Sequence, residues 1–134
     1  MYTNVVAAII FYENKILATQ RKYSKNSEIS LKFEFPGGKV RSNEKKEIAL
    51  IREIKEELDL KIENIKFYYK NKFDYSNINV ELFFYTCNVN SFSINLKVHN
   101  SFKLLDVTQL LSVEWLKGNY SVIKKIQADY NIKE

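Results

Sequence analysis

The chain reads as an α/β or α+β domain, and three observations carry that reading. Apolar runs rich in Val, Ile, Tyr and Phe lie on both sides of one helix-patterned stretch, residues 46 to 58. Within it Leu50, Ile51, Ile54 and Leu58 return at helical spacing, uninterrupted by Gly or Pro. Two of the three glycines and the only proline sit just before it, in Pro36-Gly37-Gly38, where the backbone must take one particular turn. Strands with helices segregated around them make a layered core.

With 134 residues, 46% of them hydrophobic, a single domain over 1–134 is expected, with no linker or repeat dividing it. Val5–Phe11 reads as a buried strand, Glu13-Asn14 as a turn, and Lys15–Arg21 as the returning strand of a hairpin. Residues 22 to 32 are polar and form a loop able to lie over a substrate. Beyond the helix, Lys61–Phe73 and Asn79–Asn90 are β-rich, with Asp74-Tyr75-Ser76-Asn77 as the turn between them. Ser93–Val98 is expected as a further strand and Leu105–Leu111 as a short helix. Tyr120–Tyr130 closes the chain as a helix that buries Val122, Ile123 and Ile126.

Composition excludes some classes. The single cysteine, Cys87, can form neither an internal disulfide nor a metal cluster, and its apolar surroundings predict an inert buried thiol. Val5–Phe11 has no basic segment before it and is too short to span a bilayer, so a cytoplasmic protein without a membrane partner is expected. A net charge of +5 favours polyanionic partners. The lysines are scattered, however, and no basic run of five or more occurs, so a nucleotide polyphosphate explains the charge as well as nucleic acid does. Monomer and homodimer both stay open.

On a helical wheel, Glu53, Glu56 and Glu57 fall within an arc of roughly 100°, opposite the apolar residues. Ala49 shares their face, where its small side chain lets another segment approach. Three carboxylates on one face repel unless a cation sits among them, and hard oxygen ligands suit Mg²⁺ or Mn²⁺. Arg52, one turn before Glu56, can orient a carboxylate by charge-assisted hydrogen bonds. A solvated acidic face balanced by Lys45, Lys46 and Lys55 is the plainer reading of the same residues.

The wider spacing bears on that choice. From Gly38, five residues lead to Glu44, seven more to Arg52-Glu53, then Ile54, Lys55 and Glu56-Glu57. This resembles the Nudix signature G-x5-E-x7-R-E-U-x-E-E-x-G-U, with Asp59 in place of the late glycine and Leu60 as the last aliphatic position. Asp tolerates the left-handed conformation that such a helix end requires. The resemblance implies the Nudix fold, a mixed sheet sandwiched between helices. It also implies Mg²⁺-dependent cleavage of phosphoanhydrides, with metal held by Glu53, Glu56, Glu57 and a carbonyl of Gly37 or Gly38. Arg52 would orient the carboxylates and Glu44 would brace the loop.

Phe33-Glu34-Phe35-Pro36-Gly37-Gly38-Lys39 is similar to the phrase found in MutT-like pyrophosphohydrolases, which sanitise nucleoside triphosphates such as 8-oxo-dGTP for DNA repair. That branch implies phosphate contacts from Arg21 and Lys39, and a substrate pocket that takes in Glu34, Phe35 and Tyr75. Asn119, ahead of the last helix, stands where the branch places a base-reading asparagine; an N-cap role is the alternative. Relatives often carry Glu-His before a late strand, whereas here Val98 precedes His99. The acid is lost, and His99 becomes a candidate general base. Hydrolysis of a (d)NTP to monophosphate and pyrophosphate is the expected function. A nucleotide-binding sensor without efficient catalysis, and a hydrolase of ADP-ribose or dinucleoside polyphosphates, are the alternatives.

Overall fold

The computed structural model describes residues 1–130. Its strands are β1 (Thr3–Tyr12), β2 (Lys15–Gln20), β3 (Phe33–Glu34), β4 (Gly37–Lys39), β5 (Glu63–Asp74), β6 (Asn79–Asn88) and β7 (Ser101–Leu105). Helices α1 (Lys46–Leu58) and α2 (Tyr120–Asp129) complete it, with 3₁₀ turns at Val107–Ser112 and Lys117–Asn119. The sheet runs β3-β2-β1-β6-β5, with β4 added along β1 and β7 along β2. Only β1 and β6 run parallel among these neighbours, so the sheet is mixed.

The apolar run of β1 is continuous because both of its faces are covered. Successive side chains point to opposite faces. Val6, Ala8 and Ile10 pack with Leu50, Ile54 and Leu58 of α1, whereas Ala7 and Ile9 share a core with Val122, Ile123 and Ile126 of α2. The expected sandwich of helix, sheet and helix is therefore present. Glu13 and Asn14 both take positive φ, 50° and 66°, as a two-residue hairpin turn requires. Cys87 is buried, and burial pushes its thiol pKa up to about 12. No helix among the described residues is long and apolar enough to cross a membrane.

Four expectations need correction. The glycines of Pro36-Gly37-Gly38 do not make a turn: they lie in the extended strand β4, neither at positive φ. Ser93–Val98 is not a strand. Phe92, Ile94 and Leu96 do alternate toward the α1 core, but the N–H groups of Asn95 and Lys97 bond the carbonyls of Leu58 and Glu57 at 2.9 and 3.1 Å. Those carbonyls are left open where a helix ends, so the segment caps α1, and pairing with β2 starts only at Ser101. Leu105–Leu111 is likewise not one helix. Leu105 pairs with Ile16 in the sheet, and the following turn is 3₁₀, entered at Asp106, whose N–H bonds Gln109 Oε1 at 3.0 Å. Finally, Ile51 is exposed, and the buried stripe of α1 runs through Ala49, Leu50, Ile54 and Leu58.

The end of α1 matches expectation. Asp59 adopts the left-handed conformation, φ 57° and ψ 38°, and its N–H closes on the Lys55 carbonyl at 3.1 Å.

Candidate active site

The glycine strand and α1 meet because β4 lies against β1, pairing Gly37 with Ala7 and Gly38 with Val6. The two glycines serve different neighbours. A Cβ on Gly37 would fall 1.9 Å from the Val6 carbonyl oxygen, so this residue keeps the sheet closed. A Cβ on Gly38 would fall 2.4 Å from Cδ and Oε1 of Glu53, so this one gives a carboxylate its place.

Arg52 organises the acidic face. Its Nε and Nη2 form a fork on Glu44, at 2.8 and 3.0 Å, while Nη1 reaches Glu53 at 2.7 Å and Glu56 at 3.3 Å. Nη2 also bonds the Lys39 carbonyl at 3.3 Å. These bonds match the full donor capacity of a guanidinium. Arg52 bonds, with help from the Arg41 N–H, hold the Glu44 pKa down at about 2, and Glu44 in turn ties Arg41 to α1. Glu56, about half exposed, turns to Arg52 and to Arg41, 4.0 Å away; neither it nor Glu53 lines the cavity described below, but Glu53 stands against Gly38, which does.

Glu57 faces inward. Burial, then the charges of Glu53 and Glu34, raise its carboxyl to about 8. It lines a cavity of 660 Å³ together with Gly37, Gly38 and Lys39. Tyr75, Leu82 and Asn119 line it as well, and Tyr23, Ser24 and Ile29 bring the 22–32 loop to it. That loop is tied to the β5-β6 turn: Glu28 Oε1 accepts from the Ser76 N–H and hydroxyl at 3.0 and 2.8 Å.

Arg21, Glu34, Phe35, Lys39, Tyr75 and Asn119 all line this one cavity. They come together through Phe33, whose N–H bonds Glu114 O and whose carbonyl accepts from the Leu116 N–H, both at 2.8 Å. That pins the late segment beside the glycine strand. Phe35 packs on Trp115 at 4.6 Å between ring centres, so much of it belongs to the core. The Tyr75 hydroxyl accepts the Gly118 N–H at 2.8 Å, which fixes the ring as a wall.

Asn119 does not cap α2 with its side chain. The amide turns inside, its Oδ1 taking the Phe35 N–H at 3.4 Å and its Nδ2 facing the Leu116 carbonyl at 3.3 Å. His99 is buried, with Nε2 2.9 Å from Glu34 and Nδ1 enclosed without a partner, so neither nitrogen is open to the cavity as a general base. The residues that sequence reasoning missed are Leu82, on the same inward β6 face as Val80 and Phe84, and the Glu28 and Ser76 pair. Alternation along β6 could have found the first. The pair joins residues 48 apart, and no local pattern announces it.

Among the described residues no three His, Cys, Asp or Glu side chains form a ready-made metal cluster. The donor set nevertheless suits a hard divalent ion. Glu53 occupies a space that only glycine leaves open, and Glu57 beside it retains a proton that a cation would displace.

A mixed sheet between two helices, with a glycine strand set against an arginine-organised acidic helix, defines a fold class and not a substrate. The NUDIX domain model matches residues 1–128, and the chain belongs to the Nudix family. The 8-oxo-dGTP diphosphatase of Buchnera aphidicola subsp. Schizaphis graminum is 40% identical over 85 residues, 63% of this chain and 64% of that protein. A CTP pyrophosphohydrolase of Escherichia coli K12 is 46% identical over 56 residues, 42% of this chain and 40% of that one. The chain therefore spans less than two thirds of the length of these curated relatives. A solution structure of MutT from methicillin-resistant Staphylococcus aureus 252 superposes with a TM-score of 0.70 at 36% identity, over 96% of this chain and 98% of that one. A MutT Nudix hydrolase from Burkholderia pseudomallei reaches 0.81 at 21% identity, over 94% and 98%, a likeness of fold.

Proposed function

We propose that the chain hydrolyses a nucleoside triphosphate to the monophosphate and pyrophosphate, in the MutT manner, with Mg²⁺ or Mn²⁺ as cofactor. The observation that carries this reading is the meeting of Arg52, Glu53 and Glu57 with Gly38, beside a 660 Å³ cavity that Gly38 and Glu57 line. Glu53, Glu57 and a carbonyl of Gly37 or Gly38 would hold the ion, with Glu56 adding negative charge from the rim. A divalent ion held there would supply charge neutralisation for phosphate and a more acidic water. Arg52 fixes the orientation of Glu53, and Glu44 fixes Arg52. Arg21 and Lys39 contact phosphate oxygens, while Phe35, Tyr75 and Leu82 enclose the base and the Asn119 amide reads its edge. The relatives named for 8-oxo-dGTP and CTP favour a non-standard or surplus (d)NTP as substrate.

A second reading, a nucleotide sensor without efficient turnover, has its own support. Val98, 49% exposed, stands where relatives often carry an acid, and His99 offers no free nitrogen in its place. Pyrophosphate release from a panel of 8-oxo-dGTP, dCTP, methylated dCTP and ADP-ribose with Mg²⁺ separates the two. Glu53→Gln and Glu57→Gln should each nearly abolish turnover and leave the circular dichroism spectrum unchanged. Wild-type rates in either variant would remove the metal assignment, and nucleotide binding without turnover in the parent chain would favour the sensor.

A further inference from the structure

Three side chains from separate segments meet on one cavity wall: Arg21 just past β2, Glu34 on β3 and His99 just ahead of β7. Glu34 accepts from both of the others, at Oε1 from Arg21 Nη1, 3.3 Å away, and at Oε2 from His99 Nε2, 2.9 Å away. The carboxylate is held at both ends, and rotating it breaks one bond or the other. His99 is the fixed point, its side chain 3% exposed against 42% for Arg21. Its backbone is stapled to the same strand end. The Asn100 N–H bonds the Gln20 carbonyl at 2.8 Å, and Asn100 Nδ2 and Ser101 Oγ share Gln20 Oε1 at 2.8 and 2.7 Å. An ionised carboxylate only accepts, so Nε2 carries the hydrogen in this contact, and Nδ1 is enclosed without a partner.

We propose that His99 is a positioning residue that locks Glu34, so that Glu34 aims the Arg21 guanidinium at substrate phosphate. The inference rests on the phosphate role proposed above for Arg21. The restraint has a purpose, because Arg21 and Glu57 line the same cavity. An untethered Arg21 would fall onto the acidic pair and occupy the place of phosphate and cation. Glu34 holds it back, and His99 keeps Glu34 from following it.

The test is a double-mutant cycle read with 8-oxo-dGTP. His99→Leu removes the donor, and His99→Gln puts an amide N–H near the former Nε2. His99→Leu should raise KM about tenfold with a smaller change in kcat, and His99→Gln should recover most of it. In an Arg21→Ala background His99→Leu should add no further rise in KM. An equal effect in both backgrounds overturns the proposal, and so does an unchanged KM in folded His99→Leu. If the leucine variant does not fold, His99→Asn, whose amide is too short to reach Glu34, takes its place. The same cycle is measured on the dissociation constant for 8-oxo-dGTP by calorimetry. A silent parent enzyme then overturns the hydrolase reading, while the coupling stands or falls by itself.

Discussion

Gly38 and Glu53 stand against each other so closely that a methyl group on the glycine would lie 2.4 Å from the carboxylate carbon. The obstacle is the far end of a flexible side chain, so Gly38→Ala can be accommodated by turning that carboxylate away. The variant should fold normally and lose roughly a hundredfold or more in turnover. Gly37→Ala meets backbone instead, Val6 O at 1.9 Å and Ala7 Cα at 2.8 Å. There β4 must part from β1, at a cost of about 2 kcal/mol or more. Thermal unfolding and pyrophosphate release, measured on both variants, should show one glycine failing in activity and its neighbour in stability. Equal melting temperatures would contradict the assignment.

Arg52→Lys keeps the charge and loses the fork. A lysine ammonium cannot span both Glu44 oxygens and also hold Glu53. Turnover should fall about tenfold to a hundredfold, mostly in kcat. Glu44 should feel the change through pH. Its folded pKa of about 2 lies below the usual 4.5, so its stabilising effect is present above pH 4.5 and fades as the pH falls toward 2. The melting gap between the parent and Arg52→Lys should therefore narrow below pH 4. A gap that holds constant down to pH 2 would show that the fork does not set the Glu44 pKa.

Glu57 behaves in the opposite sense. Unfolded, it titrates near 4.5, and folded near 8, so between those values the native chain keeps a proton that the unfolded chain has released. Stability on this account falls as pH rises from 4.5 to 8 and is level beyond. In EDTA, Glu57→Gln should melt above the parent at pH 8, with the difference closing toward pH 4.5. Magnesium should stabilise the parent alone and reverse that order at pH 8. A difference that grows toward acid would refute this account of the residue.

What could be read in advance was local. Helical spacing placed Leu50, Ile54, Leu58 and the three glutamates on α1. The turn read into Pro36-Gly37-Gly38 is instead an extended strand along β1, because the glycines are there for close approach and not for positive φ. Spacing along a helix does not say where a long side chain swings, and Glu56 swings outward to Arg52 and Arg41. Ser93–Val98 showed strand alternation because one of its sides is buried, yet its partner is the open end of a helix. The Glu34 and His99 contact spans 65 residues of chain and depends on β7 registering with β2, which no window of sequence contains. Asn119 was open between cap and base reader; it makes no side-chain cap bond, and its amide is bonded instead to the Phe35 N–H and the Leu116 carbonyl beside the cavity.

The one departure inside the signature offers a last test, because two effects at Asp59 oppose each other. Its backbone is left-handed, φ 57°, which costs any residue with a Cβ more than it costs glycine. Its side chain pairs with Lys55 on an exposed helix turn, and that pairing holds its carboxyl below the usual range. Exposed pairs at this spacing contribute little, whereas relief of a left-handed residue is felt in full. Backbone strain should therefore dominate, and Asp59→Gly should melt about 2 °C above the parent. Kinetic constants should stay within about twofold, since Asp59 lies outside the cavity and the Glu57 carbonyl keeps its bond from Lys97. A lower melting temperature would mean that the ion pair outweighs the backbone. A loss of activity would mean instead that the helix end positions Glu57, and that the Asp59 carboxylate takes part in holding it there.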